Sequence, residues 1–339
     1  MVRSVAGGCL IVVVATSACV NRPAFQGPLP VRNQHPAQLT VFHLPPANAA
    51  MLPAGAVTAR TDAAYSSLFL LGSGNGGTWF MDGEYLRVGL GTRIGLGGGL
   101  EVATEIPFAH TTGGFLDSLL IDYHQWFGLP DQDRDVAPKD RYRVDASWGN
   151  QVVWSVERDS SELLDVPLWL SAQVLPPGPG RLGVAVRAGV ELPTGDQDRG
   201  YGSGEVEPGL GVVLDWRTDA IACYATAQHT FAGTPRPAAR AGLAFRDVTS
   251  LGFGTELPLC DWLHAFAQVE WETSTLRGLG PKVTSREQLL GWAGGRVLLR
   301  PDLGLELALG EDLQGLASPD VTLWLGLVWN PLAAGGTGP

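Results

Sequence analysis

The residues that could act as nucleophiles or acid–base groups are few and scattered. The chain carries six histidines and four cysteines in 339 residues. A hydrolase set in an outer membrane needs a Ser nucleophile, a His base and an Asn or acidic partner close together, and no histidine stands beside a serine in such a motif. Ser203, in the run Tyr201–Gly204, lacks both the G-x-S-x-G spacing and the strand-to-helix context of a nucleophile elbow. The sequence therefore indicates no catalytic residue, and we do not expect an enzyme.

Metal-ligating patterns are equally weak. No Cys and His pair has the spacing of a zinc site. Asp131, Asp133 and Asp135 have the one-three-five spacing of a calcium loop. The sixth position of that loop is not Gly, and no Glu closes it. A solvated acidic loop is the better explanation, so the sequence predicts neither a metal site nor a cofactor.

A regular alternation of apolar and polar residues runs through residues 181–216. In its first half Leu182 and Val186 belong to one set, and Arg187 and Glu191 belong to the other. A period of two places the two sets on opposite faces of a β-strand. The face with Gly and charge suits a water-filled lumen, and the apolar face has no helix to cover it. This pattern is typical of a transmembrane β-barrel.

The same alternation predicts a set of charged residues that line the lumen. They are Arg87, Arg93, Glu101, Glu105, Arg187, Glu191, Glu205, Glu207, Asp215, Glu270, Glu272, Arg296 and Glu306. Acidic residues outnumber basic ones in this set, so an open lumen would favour cations, as charged rings do in pores. The alternative is that these charges pair across a narrow barrel and close it.

Composition supports a membrane barrel and excludes other classes. A formal net charge of −11 and a pI near 5.0 disfavour nucleic acid as a partner, and they also disfavour a polybasic membrane-surface role. Beyond the N-terminus no run reaches the roughly 18 apolar residues that a membrane helix needs. Short turns and long loops alternate between strands that we count as twelve, within a range of ten to fourteen. We predict an all-β, antiparallel transmembrane β-barrel.

The first residues predict an export signal. Arg3 supplies a positive charge, residues 5–15 an apolar core, and residues 16–18 small side chains. Small residues before Cys19 resemble a bacterial lipobox, in which Cys19 would carry a lipid. Ordinary cleavage near Ala18 explains the same residues, so the sequence predicts a signal peptide at residues 1–18 and leaves lipidation open.

The rest of the chain divides into three regions. Residues 19–54 are Pro-rich and have little periodicity, which predicts a periplasmic linker or a partial plug. Residues 55–331 carry the strands of the barrel, and residues 332–339 are expected to form a disordered tail. The weakest strand prediction is Ala238 to Pro258, which is too long for one span, and Asp247 is a candidate turn within it.

Two other features of the predicted barrel have structural consequences. The long outer loop at residues 111–164 contains a short helical pattern at residues 114–127 and a hairpin near Trp148. Cys223 and Cys260 fall near the periplasmic ends of neighbouring strands. In an oxidising compartment they could form a disulfide, and two free thiols are the alternative.

Several segments resemble a bacterial outer-membrane family catalogued as domain-of-unknown-function family 3187. The resemblance covers nearly all of the chain after the export signal, and residues 113–131 are its most specific part. The matching segments are GPLPVRNQHP at residues 27–36, GGFLDSLLIDYHQWFGLPD at 113–131, LPTGD at 192–196, GSG at 202–204, and GED at 310–312. His35 stands where that family is expected to have Asn. The resemblance implies an outer-membrane barrel and supplies no activity.

These observations lead to two hypotheses about function. The first is a narrow channel in the bacterial outer membrane for small polar or cationic solutes. The second is a non-conducting structural or ligand-binding surface protein that acts through residues 111–164. The expected partners are outer-membrane lipid and small solutes.

Overall fold

Alternating residues form antiparallel strands throughout the computed structural model, which describes residues 25–116, 140–314 and 318–331. The strands are β1 (Val57–Gly74), β2 (Gly77–Gly97), β3 (Leu100–Thr112), β4 (Arg143–Trp148), β5 (Gln151–Val156), β6 (Ser160–Leu163), β7 (Val166–Leu175), β8 (Leu182–Leu192), β9 (Glu207–Arg217), β10 (Ala222–Thr230), β11 (Val248–Cys260), β12 (Leu263–Glu272), β13 (Gln288–Arg300), β14 (Leu303–Gln314) and β15 (Val321–Trp329). Short helices lie at Pro36–Leu39, Arg236–Arg240 and Lys282–Ser285.

Twelve of these strands close into a barrel, which confirms the predicted fold. The order is β1–β2–β3 followed by β7 to β15, and β15 pairs antiparallel with β1, for example through Ala63 and Leu325. Closure satisfies every backbone ladder without leaving an edge, as a strand structure in lipid requires. The hairpin β4–β5 extends β2, and β6 extends β3.

The two faces of the barrel wall have the chemistry that the alternation predicts. On β8, Leu182 and Val186 are 48% and 46% exposed, whereas the inward Arg187 and Glu191 are 6% and 2% exposed. Outward Leu, Val, Ile and Phe side chains continue around the strands, and Trp216 lies among them at a strand end. This outer surface suits lipid. No helix in the described ranges is long and apolar enough to cross a membrane.

The connections distinguish the two ends of the barrel. Tight turns join β2 to β3, β7 to β8, β9 to β10, β11 to β12 and β13 to β14 at one end, which we call the short-turn end. Gly97, Gly98 and Gly99 turn the chain there with φ angles of 87°, 62° and 78°, which side chains rarely adopt. The opposite, long-loop end carries the long connections.

Some predicted boundaries are corrected. The stretch from Ala238 is not a strand at its start, because residues 236–240 form a helix and β11 begins only at Val248, after Asp247. The hairpin at Trp148 is present as β4–β5. Residues 117–139 lie outside the described residues, so most of the predicted loop helix falls there. The predicted signal peptide, Cys19 and the C-terminal tail fall outside them as well.

Residues 25–55, which we call the lumen segment, run inside the barrel. The backbone of Gly27 contacts Glu256 near the short-turn end, and Asn33 contacts Glu272, the last residue of β12 at the long-loop end. After the helix Pro36–Leu39 the chain returns, and Leu52 contacts Glu101 near the start of β3. The segment thus rises through the lumen and descends again before β1 begins.

Candidate functional site: the occupied lumen

Wall side chains accept hydrogen bonds from backbone N–H groups of the lumen segment. An irregular segment inside a barrel has no neighbouring strand, so its donors must find other acceptors. The contacts are Gly27 N to Glu256 Oε2 at 3.0 Å, Leu29 N to Gln268 Oε1 at 2.7 Å, Phe42 N to Glu207 Oε2 at 2.7 Å, Leu44 N to Gln228 Oε1 at 2.7 Å, Ala49 N to Asp215 Oδ2 at 3.1 Å and Leu52 N to Glu101 Oε2 at 3.1 Å. Four of these acceptors are carboxylates, whose charge-assisted hydrogen bonds are the stronger kind.

Side chains of the segment also bind two carboxylates at the long-loop end of β12. Asn33 Nδ2 and Gln38 Nε2 donate to Glu272 Oε1 at 2.7 and 2.8 Å. His43 Nε2 lies 2.7 Å from Glu270 Oε1. Both carboxylates are buried, so they depend on the lumen segment for partners that water would otherwise supply.

His35 shapes the turn between the two arms of the segment. It is the N-cap of the helix Pro36–Leu39, and its Nδ1 accepts a hydrogen bond from the Ala37 N–H at 3.2 Å. Burial lowers the pKa of His35 to about 3, so the ring is neutral and this nitrogen keeps its acceptor role. Asn is among the preferred N-cap residues, so the Asn that the family resemblance leads us to expect at this position would form the same kind of cap.

Ion pairs within the wall form one cluster beside the first arm of the segment. Arg296 donates to Glu306 Oε1 from Nε at 2.7 Å, and its Nη1 lies 3.2 Å from Glu256 Oε1. His264 Nδ1 is 2.6 Å from the same Glu256 oxygen, and Arg60 pairs with Glu306. These groups are buried or nearly so, and they compensate one another's charge.

A second set of ion pairs on β1, β2 and β3 borders open space. Arg87 pairs with Asp62 and Glu105, and Arg93 Nε lies 2.7 Å from Glu101 Oε1. A cavity of about 150 Å³ separates this wall from the lumen segment. It is lined mainly by residues of β1, β2, β3, β7 and β8 and by both arms of the segment, with Arg296 of β13 and Val328 of β15 at its border. The lumen segment therefore leaves part of the lumen unfilled.

Of the charged residues assigned to the lumen from the sequence, all but one point into it. Glu205 is exposed in the loop before β9, which begins at Glu207, so its assignment to the lumen is corrected. Asp62 and Glu256 were missed, although both line the interior. Asp62 lies in a stretch of β1 where small and polar residues obscure the alternation, and Glu256 lies in the stretch whose strand boundaries were uncertain.

The two cysteines of the barrel are separate thiols. Cys223 lies opposite Thr255, and Cys260 lies opposite Leu263. Along a strand the distance from Thr255 to Cys260 is roughly 17 Å, whereas a disulfide needs Cα atoms within roughly 7 Å. The register therefore does not permit the disulfide that the sequence allowed.

Two further groups bear on chemistry outside the lumen. His110 Nδ1 lies 2.8 Å from Ser161 Oγ at an exposed position where β6 joins β3, a pairing that the sequence did not reveal. The structure gives this pair no acidic third residue within the described ranges. The same ranges contain no group of three or more His, Cys, Asp or Glu residues that could hold a metal ion.

A family model described as a protein of unknown function, DUF3187, matches residues 5–330. The chain belongs to the DUF3187 family. No curated protein matches it.

Among solved structures, an outer membrane channel from Pseudomonas putida F1 is similar to this DUF3187 chain. It has 13% sequence identity and a TM-score of 0.52, and the match covers 85% of this chain and 99% of that one. The NanC porin has 9% identity and a TM-score of 0.46 over 81% of this chain and 100% of that one. At such identities the first likeness shows a shared barrel fold, and the second is too weak to support an argument.

The segments that carry the DUF3187 resemblance lie inside the lumen and in loops that hydrogen bonds to Glu84 and Asp165 hold in place. Residues 27–36 are the rising arm of the lumen segment. At the start of the long loop Glu84 Oε1 accepts the N–H of Phe115 at 2.8 Å. Asp165 accepts the N–H of Gly195 at 2.7 Å and that of Ser203 at 2.8 Å, which draws LPTGD and GSG together. These segments organise one end of the barrel and its interior.

Proposed function

We propose that this protein is an outer-membrane channel for small polar or cationic solutes, and that its own lumen segment holds it closed. The observation that carries the proposal is the nature of the attachment. The segment is held by hydrogen bonds to polar wall residues that would be hydrated in an open pore, so its departure exposes a surface that water can solvate.

The proposed preference for cations rests on wall carboxylates that form no ion pair with a basic residue of the wall. Among the described residues Glu191, Glu207, Glu270 and Glu272 have no Arg or Lys within 4.0 Å. Three of them accept hydrogen bonds from the lumen segment. Arg187 is the inward wall arginine without a carboxylate within that distance in the same ranges. Removing the segment would therefore leave a lumen with excess negative charge, which favours cations.

Conductance in planar bilayers tests the proposal. The full chain should give rare openings, and a variant that lacks residues 26–51 should give steady openings with a reversal potential toward that of K⁺ in a KCl gradient. In the deletion background, Glu270→Gln with Glu272→Gln should reduce the cation preference. Glu205→Gln is the matched control, because Glu205 lies in a loop outside the lumen.

One outcome would overturn the channel. The deletion variant is judged to be folded if it shows heat-modifiable migration in gels. If it folds and still does not conduct, the channel hypothesis is refuted. The surface-protein hypothesis, with residues 111–164 as the binding loop, would then be the one to pursue.

A further inference from the structure

We propose that the cavity beside the lumen segment binds a small oxyanion, a carboxylate or a phosphate, and that the bound anion stabilises the segment in its closed position. The binding itself does not depend on conduction, whereas its effect on opening rests on the proposed function.

The cavity is rich in arginine. Its lining includes Arg32, Arg60, Arg87, Arg93, Arg187 and Arg296, against the carboxylates Asp62, Glu101 and Glu105. Its volume is about 150 Å³. An apolar cavity of about this size accommodates benzene, so a ligand of roughly six non-hydrogen atoms fits. Small organic carboxylates and inorganic phosphate are within this range.

Two of the arginines, Arg32 and Arg187, form no ion pair within 4.0 Å among the described residues, although carboxylates lie at longer range. Among the described residues Arg187 donates only to a backbone carbonyl, that of Pro45, at 2.6 Å. Arg32 donates to the carbonyls of Gln38 and Val41 at 2.8 and 3.1 Å. A buried cation without a counter-charge is costly. The other lining arginines belong to the ion pairs described above.

Arginine N–H groups without an acceptor indicate where an anion would bind. The Nε atoms of Arg32, Arg87 and Arg187 are buried and have no hydrogen-bond partner in the part of the chain that the structure describes. The residue Arg187 is only 6% exposed, and its guanidinium lies over the Trp169 ring at 5.7 Å. A planar guanidinium with free N–H groups matches the geometry of carboxylate and phosphate oxygens. An oxyanion in the cavity would satisfy both the charge and these donors.

The site is shared between the two parts that must separate when the channel opens. Arg32 belongs to the lumen segment, while Arg87 and Arg187 belong to the wall. An anion held by both binds the closed state more tightly than the open one. By linkage, that difference in affinity must shift the equilibrium toward the closed state.

Binding is tested on the full refolded chain in detergent micelles, by calorimetric titration with acetate, succinate and phosphate at constant ionic strength. We expect saturable binding that weakens at least tenfold in Arg187→Gln and in Arg32→Gln. Arg143→Gln is the charge-matched control, because Arg143 is exposed on β4, and its affinity should equal that of the unchanged chain. The relative affinities of the three probes separate carboxylate from phosphate.

A variant that keeps every arginine tests whether weaker binding in the arginine variants results only from misfolding. Gly91 lines the cavity, and the nearest atom that a Cβ there would meet is Thr104 O at 3.7 Å. Gly91→Val should therefore fold normally and reduce binding by occupying the space. The site is refuted if none of the three anions binds the unchanged chain more tightly than it binds the Arg187→Gln variant. Linkage to closure is refuted if the variant without residues 26–51 binds as tightly as the full chain.

Discussion

Strands β9–β13 and strands β1–β3 with β7 and β8 enclose the same lumen segment in different ways. On the β9–β13 side, Glu207, Gln228, Glu256, Gln268 and Glu272 contact the segment directly. On the other side an arginine-rich cavity separates part of the wall from the segment, and the segment makes fewer hydrogen bonds to the wall there. The first side fixes the position of the segment, and the second leaves the room into which it can move.

The largest expected difference between the two sides is in stability. Glu256 accepts hydrogen bonds from Gly27 and Tyr224 and contacts Arg296 and His264. Glu256→Ala leaves two buried basic groups without this carboxylate, and we expect the free energy of unfolding in urea to fall by about 3 kcal/mol.

Glu105→Ala is the matching change on the cavity side. The Glu105 side chain is 17% exposed, and Arg87 retains Asp62 as a partner, so the expected cost is about 1 kcal/mol. Equal losses for the two variants would contradict the difference between the sides.

A pair of glycines tests the same contrast without removing a charge. A Cβ on Gly209 would lie 2.6 Å from Phe42 Cδ1, whereas one on Gly91 would meet nothing closer than 3.7 Å. Gly209→Ala must therefore displace the ring of the lumen segment, at a cost of about 1–3 kcal/mol. The frequency of channel opening should rise by about one order of magnitude or more.

In KCl without added carboxylate or phosphate, Gly91→Ala should leave the opening frequency unchanged, because its added methyl group enters open space. Bilayer recordings of the two variants side by side measure the difference. If Gly91→Ala opens the channel as much as Gly209→Ala does, contact on the β9 side is not what holds the segment.

A change of pH tests the attachment of the segment without any substitution. Burial lowers the pKa of His35 to about 3, and burial with nearby Arg32 lowers that of His43 well below its ordinary value. Both return toward about 6.5 when the segment is released. The released state binds more protons between about pH 6.5 and pH 3, so closure weakens as the pH falls through this window.

For His35 alone, the loss at pH 5.5 is about 1.4 kcal/mol, or roughly tenfold in opening frequency. Recordings at pH 7.5 and 5.5 measure it. His35→Asn retains an acceptor for the N-cap and removes the titration, so its pH dependence should be weaker. An unchanged pH dependence in that variant would exclude His35 as a cause.

The sequence predicts the position of a residue when that position is set by its neighbours in the chain, and not when it is set by contacts with distant residues. The alternation in β8 predicts Arg187 and Glu191 on the inner face, because the period of a strand is an intrinsic property of its backbone. The path of the lumen segment has no such signal. It is set by carboxylates such as Glu207 and Glu272 that lie more than 150 residues away in the chain.

The failed boundaries have the same physical origin. The loop before β11 holds the helix at residues 236–240, and Asp247 accepts the N–H of Ala232 across that loop, so apolar residues there pack in a loop rather than along a strand. The assignment of Glu205 failed because strand pairing ends at Glu207, and a repeating pattern does not mark where pairing stops.

The central claim, that conduction requires displacement of the lumen segment, can be tested by tethering that segment reversibly. Ala49 of the segment and Ala185 of β8 are both fully buried and belong to one small apolar cluster. Ala49→Cys with Ala185→Cys, in a parent whose Cys9, Cys19, Cys223 and Cys260 are replaced by Ser, is designed to tether the segment to β8 through a disulfide, whose formation is checked by non-reducing mass spectrometry.

Single-channel recording before and after a reductant is the decisive measurement. We expect openings to be absent while the disulfide is intact and to return, on reduction, to the frequency of the cysteine-free parent. Openings of equal frequency and conductance in the oxidised and reduced protein would contradict it.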